Sequence, residues 1–295
     1  MKAGSVAVIG RANAGKSTLI NVMVGEKVSI VSPKPQTTRD RIMGVLTTKD
    51  YQIAFIDTPG LYKAESLLNA SMQKTAEDCA KDVDMILFVL DAHVGISDQD
   101  RALVKKFSSI SVPFVLALTK TDIMPENLLV SELKDLSSEN IDIVPVSARK
   151  NRNVKELLKV IESKLPEGDK LFEEDIVSDR SEKFMISEIM REKLLLKFDK
   201  EIPHGIAVLV NEFKLNETGS TYVISLDIVC EKANHKSILI GKQGKAIKEV
   251  SSFARQDMEK FLGKKVFLTT YVKVKEDWRN SVMLLKEYGY GEENF

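Results

Sequence analysis

Residues 10–17 read Gly10-Arg11-Ala12-Asn13-Ala14-Gly15-Lys16-Ser17. They follow a short apolar run, Val6–Ile9, and open a stretch of helical spacing, Lys16–Val24. This is the pattern G-x-x-x-x-G-K-[ST] in the strand–loop–helix setting that gives it meaning. The glycines let successive backbone N–H groups curl into a concave anion nest, and the following helix adds the positive end of its dipole. A chain with such a loop needs a buried strand before it and a packed helix behind it. Lys16 is placed to reach β- and γ-phosphates and the Ser17 hydroxyl to meet a Mg²⁺ ion, with Thr18 expected among the GTP-binding residues.

The rest of the first half follows the same pattern. Gln52–Ile56, Met85–Leu90, Phe114–Thr119 and Ile143–Val146 read as strands buried on both faces. Between them Leu67–Lys81, Ser97–Ser109, Pro125–Ser137 and Asn153–Lys164 carry helical spacing. Strand and helix in alternation predict an α/β fold, a mostly parallel sheet with helices on both faces. Ligands of such sheets bind beyond the carboxyl ends of the strands.

Two further strand ends carry candidate residues. Asp57-Thr58-Pro59-Gly60 closes the second long strand. Asp57 suits a carboxylate holding Mg²⁺ through water, and the Gly60 N–H can approach a γ-phosphate because no Cβ intervenes. The intervening Ser32–Arg39 stretch is polar and aperiodic and reads as a switch whose threonine hydroxyl completes the Mg²⁺ shell when a γ-phosphate is present. Thr38 is the better-placed candidate and Thr37 the alternative. Lys16, Thr38 and Gly60 are therefore the expected catalytic group.

Thr119-Lys120-Thr121-Asp122 and Val146-Ser147-Ala148 follow successive strands. A carboxylate facing a purine edge accepts from guanine N1–H and N2–H₂, whereas adenine offers no donors there, so Asp122 selects GTP over ATP. The Lys120 stem can lie over the base, and the Ala148 N–H can donate to guanine O6. These 165 residues resemble a translation-factor-class small GTPase domain, whose base motif is normally Asn-Lys-x-Asp. Thr119 departs from it, and without the amide that ties this motif to the phosphate loop the expectation is weaker nucleotide binding. Where Ras-like GTPases carry a water-orienting glutamine, this chain has Leu61, so slow turnover is expected. Asn13 is similar to an asparagine that in related GTPases helps hold a monovalent cation. That resemblance implies a K⁺ requirement, the alternative being that Asn13 only shapes the loop.

A chain of 295 residues has room for two domains. The pattern breaks at Leu165-Pro166-Glu167-Gly168-Asp169. Residues 1–168 are read as the first domain, 169–180 as a linker and 181–295 as the second. In the latter a helix, Ser181–Asp199, precedes strands Ile206–Phe213 and Tyr222–Glu231, then helix, Gly241-Lys242-Gln243-Gly244, helix, strand Lys265–Val274 and a final helix from Asp277. Helix–GxxG–helix is the signature of a KH module, in which RNA backbone approaches the glycines and basic residues meet phosphate. The RNA-binding candidates are Gly241, Lys242, Gln243, Gly244, Lys245 and Lys248, with Ile240 and Ile247 as an apolar floor. Phe253 and Phe261, at helical spacing, are assigned to packing.

Charge supports this. Lys+Arg and Asp+Glu both number 43, so the whole chain has no net field, yet residues 232–275 hold eleven Lys/Arg against three Asp/Glu. Segregation of this kind is the footprint of nucleic-acid binding. Cys79 and Cys230 read as buried free thiols of a reducing compartment. The longest apolar runs are about six residues, far short of the roughly 20 needed to span a membrane, and no charged-then-apolar leader precedes the first strand. A cytoplasmic protein is the expectation.

A GTPase domain, a linker and a type II KH domain in this order resemble the bacterial Era family over essentially the whole chain, including Gln36-Thr37-Thr38-Arg39 and the Pro203-His204 turn. The resemblance implies GTP and GDP as ligands, Mg²⁺ as cofactor, recognition of the 3′ end of 16S ribosomal RNA, and a role in assembly of the 30S subunit. It also implies some peripheral membrane association, and a monomer is expected. The rival reading is an RNA-binding assembly factor whose nucleotide site is structural. An ATPase is the third, and Asp122 argues against it.

Overall fold

The computed structural model describes residues 1–61, 66–125, 128, 130, 131 and 141–290. Six strands form the first sheet: β1 (Lys2–Ile9), β2 (Ile42–Thr47), β3 (Tyr51–Asp57), β4 (Met85–Asp91), β5 (Phe114–Thr119) and β6 (Asp142–Pro145), in the order β2-β3-β1-β4-β5-β6. β1 pairs in parallel with both β3 and β4, and β5 and β6 continue in parallel. The chain therefore leaves β1 toward one side and later returns to its other side. The crevice at the carboxyl end of β1 is the topological switch point where open α/β sheets bind ligands.

Alternate side chains of these strands serve two cores. Val6, Val8, Leu87 and Val89 pack with Leu19 and Ile20 of α1 (Lys16–Val24) and with Leu157 and Ile161 of α4 (Val154–Lys164). Ala7, Ile9, Phe88 and Leu90 pack with Ala76 of α2 (Leu67–Cys79) and with Val104 and Phe107 of α3 (Asp98–Ser108). The helical reading of Pro125–Ser137 falls largely outside the described residues. β2 was not foreseen. It runs antiparallel to β3, and Gly44 at its centre lies against the end of α1 and the loop after it, where a Cβ would stand 3.2 Å from Val24 Cγ2 and 2.9 Å from Val28 Cγ2.

The second half holds α5 (Glu182–Lys197), β7 (Ala207–Leu215), β8 (Thr221–Cys230), α6 (Ala233–Ile240), α7 (Lys245–Leu262) and β9 (Lys265–Val274). Its sheet is β7-β8-β9, with β7 antiparallel and β9 parallel to β8. Helices α5 and α7 cover one face through Ile189, Met190 and Leu194, and Val250, Ala254 and Met258. Phe253 and Phe261 are 53% and 43% exposed, so their assignment to packing is corrected. The buried stripe of α7 is 250/254/258, and 253/261 repeat with the same period one position round the helix. The expected helix from Asp277 begins later. Residues 278–280 form a 3₁₀ turn, and α8 (Val282–Glu287) starts where the Ser281 side chain accepts from Leu284 N–H.

The connector lies along the first sheet. Ala3 N–H donates to Pro166 O at 3.1 Å and Val45 N–H to Val177 O at 2.9 Å, while Gln52 Oε1 accepts from Leu171 and Phe172 N–H. A further apolar cluster joins Leu68 and Met72 of α2 to Ala207, Val229, Trp278 and Leu285. Among the described residues no helix is long and apolar enough to cross a membrane.

Candidate functional site

The loop after β1 turns into α1 at Gly15, whose φ of +97° is a left-handed conformation that glycine adopts without a steric cost. Lys16 is consequently drawn under the loop, 6% exposed. Its ammonium donates to Gly10 O at 3.1 Å and Arg11 O at 3.0 Å. Burial pulls its pKa down to about 8, against the opposing pull of Asp57. A charged donor held only by carbonyls in a desolvated cradle is complementary to a phosphate, which would supply the missing counter-charge.

Beside it three oxygens converge. Ser17 Oγ and Thr38 Oγ1 lie 3.0 Å apart, and Thr38 Oγ1 donates to Asp57 Oδ2 at 3.3 Å. Asp57 is fully buried, its carboxyl raised above the usual range by desolvation and partly restored by Lys16. Asp57 Oδ1 is buried with no hydrogen-bond partner among the described residues. Two hydroxyls and a carboxylate with an unused lone pair form a hard-oxygen donor set that fits Mg²⁺. Thr37, the alternative, is excluded from this corner because its hydroxyl donates to Lys34 O at 2.6 Å.

Gly60 approaches the phosphate loop so closely that a Cβ there would stand 2.6 Å from Ala12 Cα. Thr58 Oγ1 donates to Val8 O at 2.8 Å, which fixes Thr58-Pro59-Gly60 against β1. Leu61 N–H donates to Gly10 O at 3.1 Å, and its side chain packs into the α2/α3 core, away from the cleft. Arg11 contributes backbone only, because its guanidinium reaches Asp100 in the capping box of α3 at 3.1 Å. Asn13 Nδ2 donates to Pro33 O at 2.8 Å.

At the base end, Asp122 Oδ1 accepts from the buried Ser147 Oγ at 2.6 Å, and this hydrogen bond holds the carboxyl below its ordinary range. The group stays ionised and acceptor-only, as guanine recognition requires. Lys120 Nζ pairs with Asp91 at 2.6 Å. Thr119 overturns the expectation that this position is untethered. Its hydroxyl lies 2.6 Å from Ala14 O and 2.9 Å from Leu90 O, so the tie between base motif and phosphate loop exists, made by an alcohol.

Lys16, Ser17, Thr38, Gly60, Thr119 and Asp122 line one cleft of about 600 Å³ that also takes in Ala12, Thr18, Lys120 and Ala148, while Asp57 and Ser147 lie buried behind its wall. Its far wall was missed by sequence reasoning. Leu196 of α5, from the second half of the chain, lines the cleft, as do Val31 and Gln36. A leucine on an amphipathic helix carries no signal of such a place.

In the second half, Gly241 (φ +71°) and Gly244 (φ +74°) bracket a tight turn between α6 and α7. Lys242, Gln243, Lys245 and Lys248 are exposed, and Ile240 and Ile247 half-buried beside them. Basic heads, an open glycine backbone and a small apolar floor stand on one ridge, a surface fitted to single-stranded RNA.

Comparison with known proteins agrees with both halves. The family described as 50S ribosome-binding GTPase matches residues 5–120, and the KH domain family matches residues 201–279. GTPase Era of Clostridium kluyveri is 46% identical over 292 residues, covering 98% of this chain and 99% of that relative. GTPase Era of Clostridium novyi is 45% identical over 293 residues, covering 99% of each. Two solved structures superpose with a TM-score of 0.95 at 38% identity, each over 98% of this chain and 99% of the other. One is Aquifex aeolicus Era bound to GDP.AlF4⁻, the other Era in complex with MgGDPNP and nucleotides 1506–1542 of 16S ribosomal RNA. With the phosphate loop, the Asp122 carboxylate and the GxxG turn all in place along one full-length match, the chain belongs to the Era family of GTPases.

Proposed function

We propose that this protein binds GTP with Mg²⁺, hydrolyses it slowly, and through its KH half grips the 3′ region of 16S ribosomal RNA during assembly of the 30S subunit. The convergence of Ser17, Thr38 and Asp57 beside Lys16 carries the enzymatic part. Lys16 draws the β- and γ-phosphates into the nest. Asp122 orients guanine and thereby sets the distance from the base to the reacting end. The Gly60 N–H donates toward the γ-phosphate oxygens as negative charge gathers there. Bound Mg²⁺ supplies charge neutralisation at the β- and γ-oxygens. Leu61 offers no polar atom to the attacking water, so backbone groups position it and turnover is slow.

Single-turnover hydrolysis of radiolabelled GTP, with and without RNA, tests this. Phosphate release at the uncatalysed rate under every ionic condition would leave the rival, an assembly factor with a structural nucleotide, which the buried Leu61 side chain favours. For RNA, binding of a 16S 3′-terminal fragment that survives Lys242→Glu unchanged would count against the KH ridge.

Residues 1–168 act as the GTPase domain, 169–180 as the linker and 181–295 as the KH domain. A K⁺ ion beside the phosphates rests on the resemblance of Asn13 to a cation-holding asparagine, while its Nδ2 donating to Pro33 O in the switch fits the loop-shaping alternative. Equal rates in K⁺ and Na⁺ buffers would remove that ion. A monomer in the cytoplasm with peripheral membrane contact completes the proposal. The membrane contact rests on family resemblance and is tested by co-sedimentation with anionic vesicles.

A further inference from the structure

Residues 36–39, which bring Thr38 to the metal corner, are held from the opposite side by the KH half. Arg39 is 4% exposed. Its guanidinium donates to Ile206 O at 2.6 Å and His204 O at 2.8 Å. It also lies 5.8 Å from the Trp278 ring centroid and 5.6 Å from that of Tyr290. Trp278 is itself fixed, its Nε1–H donating to Gly205 O at 3.0 Å. On α5, Arg191 is 1% exposed, paired with Glu188, and donates to Thr37 O and Gln36 O. Glu192 accepts from Val31 N–H at 3.0 Å and pairs with Lys27 at 2.8 Å. Helix α5 in turn packs on α7, the helix that begins at the GxxG turn, with Lys197 pairing with Glu249 at 2.7 Å.

We propose that Arg39 in its Ile206–Trp278–Tyr290 socket, with Arg191 on the Gln36 and Thr37 carbonyls, is a latch that positions Thr38 for Mg²⁺ and GTP and ties closure of the KH half to the γ-phosphate. This rests on the nucleotide reading above and names how that site is regulated. Consecutive Cα atoms are about 3.8 Å apart, so Thr38 cannot leave Ser17 and Asp57 by more than a few ångströms while Arg39 stays seated. Seated, Arg39 has its two terminal nitrogens paired and only Nε buried without a partner; halfway out it would also leave the Ile206 and His204 carbonyls and those two nitrogens unpaired, so the latch has two states, in or out. Neither Arg39 nor Arg191 lines the nucleotide cleft. They are positioning residues, through which the KH half shapes a GTPase site whose wall its own Leu196 also lines. By linkage, whatever the γ-phosphate adds to closure, closure returns to GTP affinity.

Trp278 is the single tryptophan of the chain, so the socket carries its own reporter. Full-length wild type, Arg39→Gln and Tyr290→Ala are compared with Mg·GDP and with a Mg-bound non-hydrolysable GTP analogue. Acrylamide quenching of Trp278, both nucleotide affinities and binding of a 16S 3′-terminal RNA are read. In wild type the analogue shields Trp278 more than GDP does. Arg39→Gln brings the two quenching constants together and weakens the analogue at least about fivefold, the lower end of usual coupling, while GDP affinity stays within about twofold. Tyr290→Ala, at the rim of the socket, moves the same readouts in the same direction. Equal quenching of wild type in both states, or equal loss of GDP and analogue in Arg39→Gln, overturns the latch. State-dependent quenching in a wild type that binds no RNA upholds the latch and removes the RNA reading instead.

Discussion

Gly60→Ala is the sharpest test of how the γ-phosphate is sensed. Gly60 does not adopt a positive φ, so alanine meets no torsional strain there. The obstacle is contact. The new Cβ would lie 2.6 Å from Ala12 Cα and 2.7 Å from Ala12 N, both backbone atoms, where ordinary contact begins at 3.4 Å. About 0.8 Å must be recovered by moving one strand-end loop away from the other. Overpacking of this kind costs about 1–3 kcal/mol, or about 5- to 150-fold in an equilibrium constant. On the proposed reading GDP leaves the γ-corner empty and lets residues 57–61 retreat, whereas GTP needs Gly60 close. Calorimetry with Mg·GDP and a Mg-bound GTP analogue should therefore show analogue affinity falling by that factor while GDP affinity stays near wild type. Equal losses for the two nucleotides, or no loss, would refute the close approach as the sensing contact.

Thr119→Val keeps the shape but removes the proton shared by Ala14 O and Leu90 O. Leaving a buried carbonyl unpaired costs about 1–3 kcal/mol, expected as a lower Tm and weaker GDP binding. Unchanged values of both would mean the alcohol is no tether. Lys16, held at about 8 when free, binds fewer protons folded than unfolded between about pH 8 and its ordinary 10.5. Its contribution to the stability of nucleotide-free protein therefore rises with pH across that window. Phosphate restores the ammonium, so nucleotide binding takes up a proton there and affinity falls by up to about tenfold per pH unit above 8. Calorimetry in buffers of different ionisation enthalpy reads this uptake. Gly244→Asp meets no atom within 4 Å and stands at the N-cap of α7 in a left-handed conformation (φ +74°) that aspartate tolerates better than most side chains, so RNA affinity should drop at least tenfold with GTP affinity kept. Retained RNA binding would move the interface elsewhere.

What the sequence disclosed was local. The phosphate loop, Asp57, Asp122 and the GxxG turn are read from a few adjacent residues because their chemistry depends on backbone shape within one loop. What it concealed was non-local. β2 escaped because Gly44 splits its four apolar residues, Ile42, Met43, Val45 and Leu46, into two pairs, yet that glycine is what lets β2 lie against α1. Arg39, Glu188, Arg191 and Glu192 resemble a solvated charged face, but all are buried where the two halves meet. Thr119 looked like a loss because an amide was expected. The carbonyl it must satisfy lies about a hundred residues earlier, which no spacing rule reveals.

The connector has one more consequence. Residues just before α5 are zipped to the strand that follows the switch: Val45 N–H meets Val177 O, and Met43 N–H meets Asp179 Oδ1 at 2.9 Å. The KH half is thus suspended on a short tether a few residues from Arg39, and its socket sees that side chain at an effective concentration of order millimolar or more. Little translational freedom is left to lose on docking, so modest contacts suffice to close the molecule, and a ligand of equally modest strength at either end can reopen it.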